Sequence, residues 1–224
     1  MKKVLITGSG GVIGSVLRNG LPHDTTDFDL PDYDVGNLHH LLEVARGHEV
    51  LVHLAWNKSN DDWLSENLDP ENIQNNFNVY EAAQQAGVKR VIIASSVHAD
   101  RFTGDDLQKN TLLNPYALPT PDSPYGANKC MIEALGRYYA DAKGIEVVCA
   151  RFGGVNAMNK PPEHPKSERQ VWFSHEDCVS LIQTLISTPN IPNNYAIVYG
   201  MSDNKDRIHD LQNPFGWKPK DGTK

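Results

Sequence analysis

Apolar residues along the chain fall into short unbroken runs and longer stretches of helical spacing, and the two kinds alternate. Val4-Leu5-Ile6 is an unbroken run, as expected of a strand buried on both faces, and Thr25 to Asp29 can form a second, weaker strand. Between them a glycine turn leads into a predicted helix from about Gly11 to Leu21. Leu38, Leu41, Leu42 and Ala45 share one helical face, and Val50-Leu51-Val52-His53-Leu54 follows as the next strand. Asp69-Pro70 supplies an N-cap and a proline at the first helical position, and Gly87 closes the helix that they open. Arg90 to Ala94 is predicted as a strand, Tyr125 to about Lys143 as a long helix ended by Gly144, and Glu146 to Phe152 as another strand. Strict alternation of strand and helix is the pattern of a parallel sheet covered by helices on both faces.

The alternation breaks after Phe152. Residues 154–170 are rich in proline, lysine and asparagine. Ser174, with Asp177 three residues on, then caps a helix to about Ser187, and Tyr195 to Tyr199 is a last strand. The expected organisation is an α/β sheet domain over residues 1–153 with a small C-terminal lobe, 154–224, packed on it as one globular unit. The stretch from about Val97 to Pro124 is also irregular, and loops of that length are usually functional or mobile.

Composition narrows the functional classes. With 39% hydrophobic and 22% charged residues, the 224-residue chain has the make-up of an ordinary globular protein with one well-buried core. A net charge of −7 argues against a phosphate-backbone partner, so no nucleic acid is expected. The apolar run at the N-terminus is three residues long, too short for export or for spanning, so no membrane partner is expected. Cys130, Cys149 and Cys178 are widely spaced and odd in number, which points to a reducing cytoplasm rather than a disulfide framework. The nine histidines include no HExxH or comparable ligand pair, so no metal is expected, and no GxSxG turn carries a nucleophilic serine.

Chemistry enters at Gly8-Ser9-Gly10-Gly11-Val12-Ile13-Gly14, between the first strand and the first helix. Glycines there let the backbone approach a pyrophosphate, whose charge meets free N–H groups at the helix N-terminus. An acidic residue at the end of the second strand would hold both hydroxyls of an adenosine ribose. Asp29 fits best and Asp27 second, with Asp34 among the acidic residues crowding the same stretch. That acid, and the absence of arginine from the turn, favour NAD over NADP.

Tyr125 and Lys129 lie one helical turn apart, so the ammonium can sit beside the phenol and lower its pKa for acid/base work. Tyr139 and Lys143 repeat that spacing in the same helix, about 21 Å away at 1.5 Å per residue. Tyr125 emerges directly from the long loop, at the end where ligands gather, whereas Tyr139 sits beside Gly144. Ser95 and Ser96 close their strand on the side where the nucleotide is expected, and a hydroxyl there can bond the reacting oxygen.

Taken together these residues resemble the extended short-chain dehydrogenase/reductase family, also described as NAD-dependent epimerase/dehydratase. Gly8-x-x-Gly11-x-x-Gly14 resembles its cofactor turn, His53-Leu54-Ala55 its mid-sheet strand, Tyr125 and Lys129 its catalytic pair, and Asn72 the asparagine of its fourth helix. Ser96 matches the catalytic serine better than Ser95 does. Within the family the stretches Ala94–His98, Leu135–Tyr139, Trp172–Asp177 and Gly216–Lys220 are most similar to uronate dehydrogenases and short-chain-type NAD-dependent glucose-6-phosphate dehydrogenases. Two positions depart from uronate dehydrogenases. Val97 replaces a substrate-binding asparagine, and Arg169 lies three residues before Trp172 where their arginine lies five before.

The resemblance implies a Rossmann-type, doubly wound fold that binds NAD and oxidises a monosaccharide (a uronate, an aldose or a sugar phosphate) at its anomeric carbon. It implies cofactor contacts from Gly8, Gly10, Gly11, Val12, Ile13, Gly14, Asp29, Asp34, Leu54, Ala55, Ser95, Tyr125, Lys129, Phe152 and Gly153. The catalytic set would be Tyr125, Lys129, Ser96 and Asn72, the last supporting the lysine through a water. The substrate wall would draw on Lys58, Ser59, Ser96, His98, Arg169 and Trp172. A nucleotide-sugar epimerase or reductase, and a non-catalytic NAD(P)-binding protein, are the alternatives. A homodimer or higher homo-oligomer is compatible with either kind of reading.

Overall fold

A computed structural model of the chain describes residues 1–58, 64, 66–102 and 112–223. Six strands form one sheet: β1 (Lys3–Thr7), β2 (Asp24–Phe28), β3 (Val50–His53), β4 (Arg90–Ser96), β5 (Glu146–Phe152) and β6 (Tyr195–Gly200). They pair in the order β2-β1-β3-β4-β5-β6, and every pairing is parallel. The helices are α1 (Val12–Gly20), α2 (Leu38–Ala45), α3 (Pro70–Ala86), α4 (Pro124–Lys143), α5 (Lys166–Gln170) and α6 (His175–Ser187). The fold is the expected α/β, Rossmann-like one. β2 stands at one edge of the sheet, and the chain crosses from it past β1 through α2 to β3.

Successive strand residues point to opposite faces, and the unbroken apolar runs therefore feed two cores. Val4, Ile6, Val52, Ile92, Val148 and Ala150 pack with α1 and α6. Leu5, Leu51, Val91, Ile93, Val147 and Cys149 pack with α2, α3 and α4. Residues beyond 153 contribute α6 to the first core and β6 to the sheet itself. α5 is a short helix within the stretch that reads as irregular in the sequence.

Caps set the helix ends that matter most. Asp69 accepts from the Glu71 N–H at the start of α3, and Ser123 accepts from the Gly126 N–H at the start of α4. Gly87 and Gly144 end those helices in the left-handed conformation.

One charged network lies inside the second core. Arg151 is fully buried and donates to both oxygens of Glu133, at 2.9 and 2.8 Å. Asp100 lies 3.7 Å from the same guanidinium and accepts from the Tyr199 hydroxyl at 2.7 Å. Burying such charges is tolerable because every one is paired and hydrogen-bonded.

Strand order reverses between β1 and β3, and in open α/β sheets ligands bind outside the carboxyl ends of the strands at such a point. The glycine turn follows β1, Leu54 to Lys58 follow β3, and Ser96 ends β4.

Candidate active site

A cleft of about 790 Å³ opens at these strand ends. At one end it is lined by Gly8, Gly11, Val12, Ile13, Gly14, Asp29 and Asp34, and at the other by Ser96, His98, Tyr125, Lys129, Phe152 and Gly153. Leu54 and Ala55 form the floor between them.

Gly8 has φ +71°, and a β-carbon there would come within 2.6 Å of the Ala55 nitrogen, so only glycine fits this turn. At Gly14 a β-carbon would lie 2.4 Å from the Gly8 carbonyl, which is how α1 approaches the turn so closely. α1 begins at Gly11 without a side-chain cap, and its first-turn N–H groups are available to an anion. Asp29, just past β2, accepts from the N–H of Gly10 at 2.6 Å and of Leu30 at 2.9 Å. Gly10 therefore spends its N–H on Asp29 and lies outside the cleft lining, unlike the other turn glycines. Asp27 pairs with Arg18 at 2.7 Å on the surface and also lies outside the lining. A tight backbone cradle, an uncapped helix end and a carboxylate at the ribose position together fit NAD.

At the other end, α4 carries Tyr125 and Lys129 toward the end of β4. The Lys129 ammonium is buried, donates to the Ala94 carbonyl at 2.9 Å and lies 5.3 Å from the centre of the Tyr125 ring. It also sits 3.3 Å from the centre of a Trp56 ring, a cation–π contact, and Trp56 packs edge-on against Tyr125 at 5.6 Å. Trp56 thus holds both members of the pair. Nothing in its local sequence marks that role, although its place just after a strand's carboxyl end is a usable signal. Ser96 accepts from the His98 N–H at 3.3 Å. The His98 ring is fixed by Asp122 at 2.9 Å and stacks on Phe102 at 4.8 Å. Burial alone would raise the Asp122 carboxyl, but hydrogen bonds from His98 and from the Phe102 N–H outweigh it and hold it below its ordinary value. Beneath the site His53 contacts the Thr7 hydroxyl at 2.6 Å, and burial, aided by the Lys129 charge, lowers its pKa to about 3.

Several expectations need correction. Ser95 borders the cleft, but its hydroxyl donates to Glu133, because strand alternation turns it toward α4 and leaves Ser96 on the other side. Asn72, expected to support Lys129 through a water, also accepts from the Asn57 N–H at 2.8 Å and donates to the Asn57 carbonyl at 3.1 Å, which clamps the segment after β3. Trp172 is buried, lies outside the cleft lining, and its indole N–H has no partner among the described residues. A bridge between Gly154 and Trp172 turns Val171 to the cleft instead. Arg169 is also outside the lining, and its neighbour Glu168 takes that place. Lys58 lines the cleft, exposed, and Ser59 lies outside the described residues.

Residues 4–173 match the family model described as NAD dependent epimerase/dehydratase family. The chain belongs to that family. Among its members, L-arabinose 1-dehydrogenase (NAD(P)(+)) of Haloferax volcanii is 30% identical over 251 residues, which cover 100% of this chain and 98% of that protein. Uronate dehydrogenase of Pseudomonas putida is 33% identical over 246 residues, covering 99% of this chain and 85% of that one. In solved structures, a tyrosine-to-alanine mutant of Agrobacterium tumefaciens uronate dehydrogenase complexed with NAD superimposes with a TM-score of 0.82 at 28% identity, covering 99% of this chain and 86% of that chain.

Proposed function

We propose that this protein is an NAD-dependent dehydrogenase that oxidises a monosaccharide at its anomeric carbon. The observation that carries the reading is the single cleft with the glycine turn and Asp29 at one end and Tyr125, Lys129 and Ser96 at the other. The family's sugar dehydrogenases, similar over essentially the whole chain, support it.

Bound NAD would supply the hydride acceptor, held by the first turn of α1 and by Asp29. The chain's own residues manage the proton. An ammonium beside a phenol stabilises the phenolate, so Lys129 prepares Tyr125 to take the proton of the sugar hydroxyl. Ser96 already accepts from the His98 N–H, which leaves its own O–H to donate to the reacting oxygen and orient it. Asp122 fixes the His98 ring beside Tyr125 and so stiffens that wall. Val97, Phe102, Phe152 and Val171 supply apolar surface that keeps water from the reacting carbon.

No described helix is long and apolar enough to cross a membrane. Three unbonded cysteines, two of them buried, fit a reducing cytoplasm. The test is absorbance at 340 nm with NAD and a panel of aldoses, uronates and sugar phosphates. NADH forming with at least one sugar is expected. Tight NAD binding with no NADH from any sugar would reduce the protein to a nucleotide-binding scaffold.

A further inference from the structure

The lining of the cleft includes a carboxylate that has no partner among the described residues. α5 lies between β5 and α6 in an excursion whose two ends are stitched together: the Gly154 N–H donates to the Val171 carbonyl at 2.9 Å, and the Phe173 N–H to the Gly154 carbonyl at 2.9 Å. This brings Glu168 back to the cleft. A β-carbon on Gly154 would lie 3.7 Å from Glu168 Oε2. Gly154 is two residues past Phe152, which pairs in register with Ser96, so the carboxylate is at the end of the strand next to the catalytic serine. Among the described residues Glu168 makes no hydrogen bond or ion pair, although it is half-buried.

The charges around it reinforce the point. The described lining of the cleft holds four carboxylates (Asp29, Asp34, Glu71 and Glu168) against two ammonium groups, Lys58 and Lys129. Lys129 is committed to Ala94, Trp56 and the phenol, and His98 is held by Asp122. No described arginine lines the cleft. Asp29 and Asp34 lie at the cofactor end, so the charge nearest the sugar is that of Glu168, and Lys58 is the one lining cation not committed elsewhere among the described residues. The Glu168 carboxylate opposes an anionic group placed against it, whereas it can accept hydrogen bonds from two hydroxyls of a neutral sugar.

We infer that the substrate is an uncharged aldose and that Glu168 selects it, accepting from sugar hydroxyls and turning away carboxylate- or phosphate-bearing sugars. This rests on the dehydrogenase reading above and narrows its substrate class. The test compares kcat/KM of the wild type, Glu168→Gln and Glu168→Ala, from NADH formed with L-arabinose, D-xylose and D-galactose against D-galacturonate, D-glucuronate and D-glucose 6-phosphate. Thermal melts check that the variants stay folded.

The expected result is a wild-type preference for neutral sugars of about tenfold or more. Glu168→Gln should raise kcat/KM for the anionic sugars roughly tenfold, through KM, and change the neutral ones by only a few-fold. A wild type that prefers a uronate or a phosphate overturns the inference while leaving the dehydrogenase intact. So does a Glu168→Gln enzyme with an unchanged neutral-to-anionic ratio. NADH from no sugar at all removes the dehydrogenase reading and this inference with it.

Discussion

At one end of α4, Tyr125 and Lys129 face a cleft; at the other, Tyr139 and its fourth neighbour Lys143 repeat the spacing against the body of the protein. Lys129 is buried between Ala94, Trp56 and the Tyr125 ring, and so delivers its charge to a phenol that borders open space. Lys143 stands exposed in the last turn, where a cation suits the helix end. Tyr139 stacks on Tyr80 with ring centres 4.9 Å apart and donates to Glu81. Burial, and then the Glu81 carboxylate, push its phenol well above the ordinary range. The spacing is the same at both ends, so what separates the proposed proton carrier from a core residue is the surroundings: a cation and a cleft in one case, an anion and an aromatic stack in the other.

Substitution at the two tyrosines is the strongest way to break this comparison. Tyr125→Phe should lower kcat by about 10²–10⁴-fold, the range for a general acid/base, with little change in stability. Tyr139→Phe should leave kcat unchanged and cost about 1–2 kcal/mol in stability through the lost bond to Glu81. Equal losses of activity would mean that the helix end does not decide the role. The adjacent serines extend the contrast within one strand. Ser96→Ala should lower kcat by about tenfold to a hundredfold, whereas Ser95→Ala should weaken the fold by about 1–3 kcal/mol, because Glu133 loses a buried donor. Activity at 340 nm and urea midpoints separate the two.

How far these roles could be read from the sequence follows from how local their causes are. That the glycine turn, Asp29 and the Tyr125/Lys129 pair would meet in one cleft was legible because each is tied to the carboxyl end of a strand that the apolar runs reveal. The preference for Tyr125 over Tyr139 needed only the neighbouring loop. That the Ser95 hydroxyl is taken by Glu133 could not be read locally, because its partner is 38 residues away, although alternation along β4 already put the two serines on opposite faces. Trp172 and Arg169 looked like the substrate wall. Which residues of that stretch face the cleft depends on the bridge from Gly154 to Trp172, a long-range register that local pattern does not contain. Glu168 was missed for the same reason, whereas Trp56 was missed although its place just past β3 carried a usable signal.

The cofactor end offers a third pair. Asp29 lines the cleft and Asp27 is held on the surface by Arg18. Asp29→Ala should raise KM for NAD about tenfold, with a smaller effect on NADP, whose 2′-phosphate the carboxylate opposes. Asp27→Ala should leave both constants within twofold, since an exposed ion pair contributes roughly 0–1 kcal/mol. Steady-state titration of each cofactor checks this, and a larger effect at Asp27 would exchange the two assignments.

Acid stability returns to the two ends of α4, where the difference between lysine variants is the smallest effect. His53 and His209 are buried and stay neutral in the folded protein: burial, then the Lys129 charge, lowers His53 to about 3, and burial lowers His209 to about 4. In the unfolded chain both would titrate near 6.5. Below that value the unfolded state takes up protons that the folded state refuses, so this stability is whole above about pH 6.5 and is lost as the pH falls toward the folded values. At pH 5 each histidine accounts for a loss of about 2 kcal/mol, seen in urea midpoints measured from pH 7 to pH 4. Lys129→Met removes the nearby positive charge, so His53 can accept a proton at a higher pH and the decline near pH 4 becomes shallower. Because burial is the larger cause, most of the decline remains. Lys143→Met, about 21 Å farther along the helix axis, should leave the profile unchanged. If both lysine variants flattened the profile alike, His53 would be responding to net charge and not to the ammonium that sits beside Tyr125.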